Sequence, residues 1–551
     1  MIFTGVIKLL KYKFVWYIYS MKSGINTIQD SLWAAAEQLR ANGSLKLNEI
    51  GEPILGLIFL KFADVKFKRM TEALQTERAE AKGRTRPITP DDYKSAGVVF
   101  VPEKALYDYL LKLSEDQNIG KIINEAMKLI EQENSELSGV LPTNYSNLSS
   151  KPDENSRLLL VLLRNFDMIP QDVSGDTFGE IYEYFLGEFA RAEGQKGGEF
   201  FTPQSIVKLI VEILEPYSGS IYDPACGSGG MFVASANFVR SHSKANKGIM
   251  NQVSIFGQEK GEGNVRIAKM NLAIHGLSGK IEITNSFYED PHKSIGKFDY
   301  VLANPPFNVK GKDKNGQIVI DGSKLKGDNR YSYGLPLTGQ NQVINGNYLW
   351  IQMFASALSE KGRAGFVMAN SASDSGNSEL EIRKKLIESG IVDVMISVGS
   401  NMFLNAALPC TLWFFDKSKK GNNREKKILF INATDIYVPV VDANGKIDRA
   451  HNTWTDEQTQ EIAEIVRSYR SEEGSKKYKD IKGRCKVATI DEVASAGYSL
   501  NPGRYIGTVE NEMSDEDFTE SIKKLQGEFE LLTTEAHSLE KAITNNFKKL
   551  F

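Results

Sequence analysis

Cysteine and histidine are scarce in this chain, and it lacks any apolar run long enough to cross a bilayer. Its 551 residues include three cysteines and five histidines, and neither type shows the spacing of a metal site. Cys226, Cys410 and Cys485 lie far apart, which argues against a disulfide framework and favours a reducing cytoplasm. We therefore predict a cytoplasmic protein with no metal site and no membrane segment.

Excess positive charge is missing as well. The formal net charge is −3, with 41% hydrophobic and 25% charged residues, a mixture typical of globular proteins. A protein that holds duplex DNA by its own charge needs clustered lysine and arginine. If DNA is the substrate, a partner or a local basic segment must supply much of the hold.

The chain length predicts two or three domains. Residues 1–20 are apolar but interrupted by lysines, and we interpret them as a dispensable extension ahead of an internal start at Met21. Residues 21–168 show apolar positions at helical spacing and predict a helical domain. Residues 441–510 are expected to form a connecting region.

Residues 169–440 alternate short apolar runs with amphipathic stretches. This alternation predicts an α/β domain with a parallel, doubly wound sheet. The predicted strands are Ser220–Tyr222, Val253–Gly257, Ile281–Thr284, Phe298–Ala303, Ala364–Met368, Val392–Val398 and Thr411–Phe415. Two of the predicted helices are Ser205–Leu214 and Asn264–Ile274.

Two further segments stand out. Residues 308–347 are rich in Gly, Asn and Lys; six basic residues against three acidic ones give +3, and a loop of this length is often functional. Residues 511–551 predict one long helix with apolar residues at alternating steps of four and three, as in a coiled-coil seam. Such a seam needs another helix to cover it, either from a partner or from the same chain.

The stretch SIYDPACGSGG ends a strand at Asp223 and continues into Gly227, Ser228, Gly229 and Gly230. Glycines at such a turn allow close approach of a ligand to the backbone. It is neither a Walker A loop nor a dinucleotide fingerprint. A carboxylate at the strand end repels a pyrophosphate but suits the ammonium group of S-adenosylmethionine; Asp223 would otherwise cap the helix.

A second strand ends at Glu259, within SIFGQEKG. A carboxylate at the end of the second strand is placed to accept hydrogen bonds from both hydroxyl groups of a ribose. Alone, Glu259 would be interpreted as a surface charge. After a glycine-rich first turn, it indicates a nucleoside-containing cofactor.

The most specific motif is FDYVLANPPFNV, in which a buried strand leads directly into Asn304, Pro305, Pro306 and Phe307. The Asn304 side-chain oxygen and the Pro305 carbonyl are both acceptors for the protons of an exocyclic amine, and Phe307 is suited to stack on its ring. This arrangement fits methylation of adenine N6, with the base flipped out of the duplex. Positioning and charge stabilisation then supply catalysis without a metal.

These motifs resemble those of N6-adenine DNA methyltransferases. The segments from Gly197 to Leu214 and from Ser31 to Asp64 look like parts of the modification subunits of type I restriction-modification systems. The resemblance implies a Rossmann-like S-adenosylmethionine-dependent methyltransferase sheet, an N-terminal all-helical domain and a C-terminal helical tail.

The resemblance also implies roles for individual residues. Ser228, Gly229 and Gly230 would line the methionine part of the cofactor, Glu259 would hold its ribose, and the tetrapeptide Asn304–Phe307 would be catalytic. The residues expected to fold over the cofactor are Glu199, Phe200, Phe201, Thr202, Pro203 and Gln204. The implied partners are double-stranded DNA, a specificity subunit bound by two modification subunits, and a restriction subunit for cleavage.

Two other functions remain open at this point. Protein-glutamine methyltransferases share the tetrapeptide, but they usually have Tyr at its fourth position and are much smaller. The chain would alternatively be an inactive scaffold of a DNA-binding complex, although intact Asp223 and Asn304 argue against that.

Overall fold

The computed structural model describes most of the chain. The described residues are 29, 32–34, 36–37, 47–80, 86–148, 152–169, 177–193, 202–242, 253–403, 408–441, 447–508 and 515–550. The predicted extension, residues 1–20, lies outside them. The chain divides into two compact units, Met1–Ile506 and Gly507–Phe551.

The N-terminal part of the first unit is helical. Its helices are α1 (Leu47–Glu80), α2 (Pro90–Ser95), α3 (Tyr107–Leu111), α4 (Ile119–Glu133), α5 (Pro152–Asp167) and α6 (Thr177–Glu193). Ile54 and Ile58 are fully buried in the apolar core that these helices share, as their helical spacing predicts. Ile181 and Phe185 of α6 belong to the same core, so helical packing continues past the predicted boundary at 168, which stays a prediction.

A nine-stranded sheet follows. Its strands are β1 (Gly219–Asp223), β2 (Val253–Glu259), β3 (Gly279–Ile283), β4 (Phe298–Ala303), β5 (Leu358–Ala369), β6 (Val392–Val398), β7 (Cys410–Asp416), β8 (Lys427–Ala433) and β11 (Cys485–Thr489). The strand order is β11-β8-β6-β7-β5-β4-β1-β2-β3. Strands β9 (Val438–Val441) and β10 (Ile447–Thr453) form a separate antiparallel pair.

The sheet is mixed rather than wholly parallel, which corrects the sequence-based prediction. Strand β7 lies antiparallel between β5 and β6, and β11 lies antiparallel to β8 at the edge. Strand β11 falls in the predicted connecting region, so that region contributes to the sheet. Strands β1 to β4, which carry the candidate motifs, are all parallel.

Helices cover both faces of the sheet. They are α7 (Gln204–Leu214), α8 (Gly230–His242), α9 (Glu262–Ile274), α10 (Asn347–Ala357), α11 (Asn377–Glu388), α12 (Asp456–Arg470) and α13 (Ile490–Ser495). Adjacent strand residues enter different cores: Ile221 packs with α7 to α9, whereas Tyr222 packs with α10 and α11. This alternation follows the two-residue period of a strand buried on both faces.

Helix α9 contributes to two cores. Met270 and Ile274 belong to the core of the helical part, while Val265 and Leu272 belong to the core on one face of the sheet. The helix therefore joins the helical part to the sheet.

Residues 308–347, predicted as a basic loop, are largely ordered. Two short 3-10 helices, Gly322–Leu325 and Asn329–Tyr331, lie within the segment, and Leu325 and Tyr331 are buried. Arg330, one of the six basic residues counted there, is 3% exposed and pairs with Asp328. It is therefore a structural residue.

The second unit contains α14 (Asp515–Leu550), which agrees with the predicted long helix. Its large described seam residues are all exposed, among them Leu525 at 60% and Phe529 at 70%. In the described parts of the chain, no helix has both the length and the apolar character needed to span a membrane. The three cysteines are buried free thiols.

Candidate active site

Four parallel strand ends form the floor of the site. Asp223 ends β1, Glu259 ends β2, Thr284 follows β3, and Asn304 follows β4. The carboxyl ends of parallel strands meet at one edge of a sheet, where α/β proteins bind ligands. The fold thus brings together motifs that are 36 to 81 residues from Asp223 in sequence.

A single cavity of about 1230 Å³ lies over these strand ends. Its volume is ample for a nucleoside-sized ligand together with an extruded base. The predicted site residues that line it are Thr202, Gln204, Asp223, Gly227, Ser228, Gly230, Glu259, Asn304, Pro306 and Phe307. The glycine turn and the tetrapeptide therefore face the same space.

The other predicted site residues are placed differently. Pro203, Gly229 and Pro305 belong to the same segments but do not line the cavity among the described residues. Pro305 is buried between Asn304 and Pro306. Glu199, Phe200 and Phe201 lie outside the described residues.

The glycine turn requires glycine at two positions. Gly227 and Gly229 have φ values of +50° and +81°, in the left-handed region that residues with a side chain rarely adopt. The turn is fixed by backbone hydrogen bonds: Gly229 N–H donates to the Cys226 carbonyl (2.8 Å), and Cys226 N–H donates to the Gln258 carbonyl (3.0 Å). Cys226 thus serves as a buried packing residue that ties β1 to β2.

Two carboxylates approach the cavity with different environments. Asp223 is 2% exposed, and burial raises its pKa to about 8, opposed by a hydrogen bond from Ala225 N–H and assisted by the charge of Glu259. Glu259 accepts hydrogen bonds from the N–H groups of Gly227 (3.2 Å) and Gly261 (2.8 Å). A positively charged ligand group beside Asp223 would offset the cost of burying its charge.

The Asn304 side chain is oriented by a residue distant in sequence. Its Nδ2 donates to the Thr202 hydroxyl oxygen at 2.8 Å. With Nδ2 committed to Thr202, the opposite end of the amide presents Oδ1, which is an acceptor only. Thr202 precedes α7, so the segment before the sheet helps to set the polarity of the site.

The end of the tetrapeptide is clamped by a pair of asparagines. Asn308 N–H donates to Asn347 Oδ1 (2.9 Å), and Asn347 Nδ2 donates to Asn308 Oδ1 (2.8 Å). Asn308 adopts a left-handed conformation with φ of +54°, which asparagine tolerates better than most residues. Next to it, Phe307 meets Phe403 edge to face, with ring centroids 6.3 Å apart.

Residues 284–287, which the sequence analysis did not include among the predicted site residues, form a wall of the cavity. Thr284, Asn285, Ser286 and Phe287 all line the cavity, and Phe287 packs against Trp350 with a centroid distance of 4.6 Å. Buried Arg330 holds this wall by donating to the Ser286 carbonyl at 2.7 Å. The signal available in the sequence was position alone, since the wall follows the third strand.

Sequence reasoning also missed Asn271. This fully buried residue of α9 donates through Nδ2 to the Ser228 carbonyl (3.0 Å) and to Glu183 of α6 (3.0 Å). Nearby, Arg266 of α9 forms an ion pair with Glu52 of α1. The glycine turn is therefore connected to the helical part of the chain.

Two family models match this chain. The model described as N-6 DNA Methylase matches residues 173–514, and the model described as HsdM N-terminal domain matches residues 28–166. The two matches divide the chain near the place where helices give way to the sheet.

Similar proteins agree with those matches. The type I restriction enzyme MjaIX methylase subunit of Methanocaldococcus jannaschii is 35% identical over 92% of this chain and 89% of its own length. The HindI methylase subunit of Haemophilus influenzae is 35% identical over 78% of this chain and 92% of its own. The crystal structure of a type I methyltransferase subunit from Streptococcus thermophilus covers 88% of this chain and 99% of its own, with a TM-score of 0.71 at 22% identity, and supports the same fold.

Proposed function

Since the chain belongs to the N-6 DNA methylase family, we propose that it is the modification subunit of a type I restriction-modification system. In this role it transfers a methyl group from S-adenosylmethionine to N6 of a flipped-out adenine. The observation that carries the proposal is that one cavity is lined by residues from the glycine turn, by Glu259 and by three residues of the tetrapeptide, Asn304, Pro306 and Phe307.

The residues at the strand ends fit the cofactor. Asp223 is a buried carboxylate with a raised pKa, so an ammonium group is the ligand charge that suits it. Gly227 and Ser228 leave backbone close to the cavity, and Glu259 offers carboxylate lone pairs to ribose hydroxyls. When bound, S-adenosylmethionine supplies an electrophilic methyl group.

The tetrapeptide fits an exocyclic amine. The Asn304 amide is oriented by Thr202, so Oδ1 accepts one proton of adenine N6. We propose the Pro305 carbonyl as the acceptor of the other proton; Pro305 is buried outside the cavity lining, so this contact requires the base to reach the backbone between Asn304 and Pro306. The N6 lone pair is delocalised into the ring and is a poor nucleophile. Hydrogen bonds to both protons favour the tetrahedral nitrogen needed for attack, and Phe307 holds the base by stacking.

The partners follow from the same assignment. We propose double-stranded DNA as substrate, a specificity subunit that binds two copies of this chain, a restriction subunit for cleavage, and the cytoplasm as the location. The exposed apolar seam of α14 supports an interaction with the specificity subunit, because a seam of this kind needs another helix to cover it.

The alternatives receive less support. A protein-glutamine methyltransferase does not account for the HsdM N-terminal domain match or for relatives that align along nearly the whole chain. An inactive scaffold does not account for Thr202 and Asn304 meeting at hydrogen-bond distance over the cavity. The main proposal explains both observations.

The test is an Asn304→Ala variant, expressed with the specificity subunit. We expect methyl transfer to host DNA to fall at least about a hundredfold, because a preorganised polar contact is lost in the transition state. Single-molecule sequencing of host DNA maps N6-methyladenine and identifies the target site in the wild type.

The matched control is Asn423→Ala, at an exposed position. Complex assembly and S-adenosylmethionine binding should be unchanged in both variants. Methyl transfer by Asn304→Ala at a near-normal rate would refute the catalytic assignment.

A further inference from the structure

A β-hairpin projects beside the active-site cavity, immediately after the tetrapeptide. It comprises Lys310–Ile320, with Lys312 bridged antiparallel to Ile318. The Asp313 carboxylate accepts hydrogen bonds from the N–H groups of Asn315 (2.9 Å) and Gln317 (2.8 Å) and so fixes the turn. The hairpin is thus a defined element rather than a free loop.

The base of the hairpin is anchored to the fold. Gly346 N–H donates to the Val309 carbonyl at 2.8 Å, and Lys310 bridges to Asn345. A Cβ atom at Gly311 would lie 2.1 Å from the Val343 carbonyl oxygen, so the backbones approach too closely for a side chain there. The anchoring sets the position of the tip relative to Phe307.

Two branched apolar residues are exposed on the returning strand. Ile318 is 65% exposed and Val319 is 46% exposed. Val319 lines the cavity together with Phe307 and Pro306. A ligand that covers an apolar side chain at the cavity, such as Val319, is bound more tightly because apolar surface is removed from water.

Three lysines lie on the outgoing strand and in the turn of the same hairpin. Lys310, Lys312 and Lys314 are exposed, and none forms an ion pair with another described residue. Lys310 and Lys312 precede the turn and Lys314 lies in it, so the three charges fall within five consecutive residues. The one acidic residue among them, Asp313, has its carboxylate engaged by the turn. The hairpin therefore carries a local positive charge in a chain whose net charge is −3.

We propose that this hairpin is a DNA-contacting element, an inference that rests on the proposed function. The lysines bind backbone phosphates next to the target nucleotide. Val319, which lines the cavity, enters the gap that the departing adenine leaves in the base stack. Apolar side chains are known to stabilise such gaps, and phosphate contacts fix the register of the duplex. Charge favours a nucleic-acid strand over a protein surface as the occupant.

The first test separates base extrusion from chemistry. A Val319→Ser variant is assembled with the specificity subunit and assayed on the mapped target site. One duplex carries the normal base pair, and a second places the target adenine opposite an abasic site. Because an unpaired base costs less to extrude, we expect the paired duplex to lose at least about tenfold in methylation rate and the second to recover nearly fully.

The control is Ile295→Ser, which alters an isoleucine that is 52% exposed before β4, at the opposite edge of the sheet. Equal losses on both duplexes, or no loss on either, would overturn the proposal. So would release of the specificity subunit from the Val319→Ser variant, since that would make the hairpin a protein contact. Failure of the wild-type complex to methylate any DNA would instead overturn the proposed function.

The second test measures phosphate contact. Lys312→Gln should weaken DNA binding by the complex and reduce the slope of log K against log salt by about 0.9, the value expected for one lost phosphate contact. Lys361→Gln, an exposed lysine near the amino end of β5, should leave the slope unchanged. An unaltered slope in Lys312→Gln would contradict the phosphate role.

Discussion

The raised pKa of Asp223 predicts an unusual pH dependence for cofactor binding. In this structure the carboxyl has a pKa of about 8, so below that pH it is mainly protonated. If Asp223 pairs with the ammonium group of S-adenosylmethionine, binding below pH 8 must expel that proton. An α-amino group has an ordinary pKa of about 8 as well, so above pH 8 the ammonium group of the ligand is mainly deprotonated.

The magnitude follows from these two titrations. The charged pair forms from an ionised carboxyl and a protonated amine, and the product of the two fractions is largest near pH 8. At pH 6 a carboxyl with a pKa of about 8 is ionised to roughly 1%, so affinity should be about 25-fold below its maximum. Near pH 6.5, binding should release close to one proton per cofactor.

Isothermal titration calorimetry in buffers of different ionisation enthalpy measures both affinity and proton release. Asp223→Asn should bind S-adenosylmethionine weakly, and its affinity should no longer fall between pH 8 and pH 6. In Glu259→Gln the affinity should still fall as the pH is lowered, but the fall should begin at a lower pH, because the charge of Glu259 helps to raise the pKa of Asp223. Affinity that is flat from pH 6 to pH 8, without proton release, would rule out the ammonium pairing.

Three further predictions concern contacts around the site. Thr202→Val should lower kcat about three- to tenfold by freeing the Asn304 amide, whereas Thr202→Ser should stay near wild type; equal kcat in the two variants would contradict this. Asn271→Leu should lower the melting temperature and raise the Kd for S-adenosylmethionine about tenfold, because the Ser228 carbonyl loses its donor; an unchanged Kd by calorimetry would count against it. Deletion of residues 511–551 should weaken assembly with the specificity subunit, and an unchanged elution volume of the complex would argue otherwise.

Much of the sheet could be predicted from the sequence. The bounds of β4 and β6 match the predicted strands Phe298–Ala303 and Val392–Val398, because both are short, mostly apolar runs, each with one aspartate at its second position. Strands β8 and β11 were missed. The antiparallel direction of β7 was also missed, because a strand buried on both faces has the same composition in either direction.

Part of the site could likewise be predicted from the sequence, and part could not. Asp223, Glu259 and Asn304 were recognisable because each lies at the carboxyl end of a strand, and parallel strand ends converge. The residues that orient them were not, since Thr202 lies 102 positions from Asn304 and their contact has no local sequence pattern. For Arg330 the sequence was misleading. It was counted among the charges of a basic loop, but it is buried, paired with Asp328 and bonded to the Ser286 carbonyl, so it has a structural role.

Helix α9 has a consequence for attempts to make a smaller enzyme. Met270 and Ile274 are buried against the helical part. A fragment that starts near residue 173 would therefore expose apolar surface of α9 to solvent. Such a fragment would lack Glu52, the ion-pair partner of Arg266, but would keep Glu183, the hydrogen-bond partner of Asn271. A fragment cut at the boundary between the helical part and the sheet should therefore aggregate rather than act as a minimal catalyst.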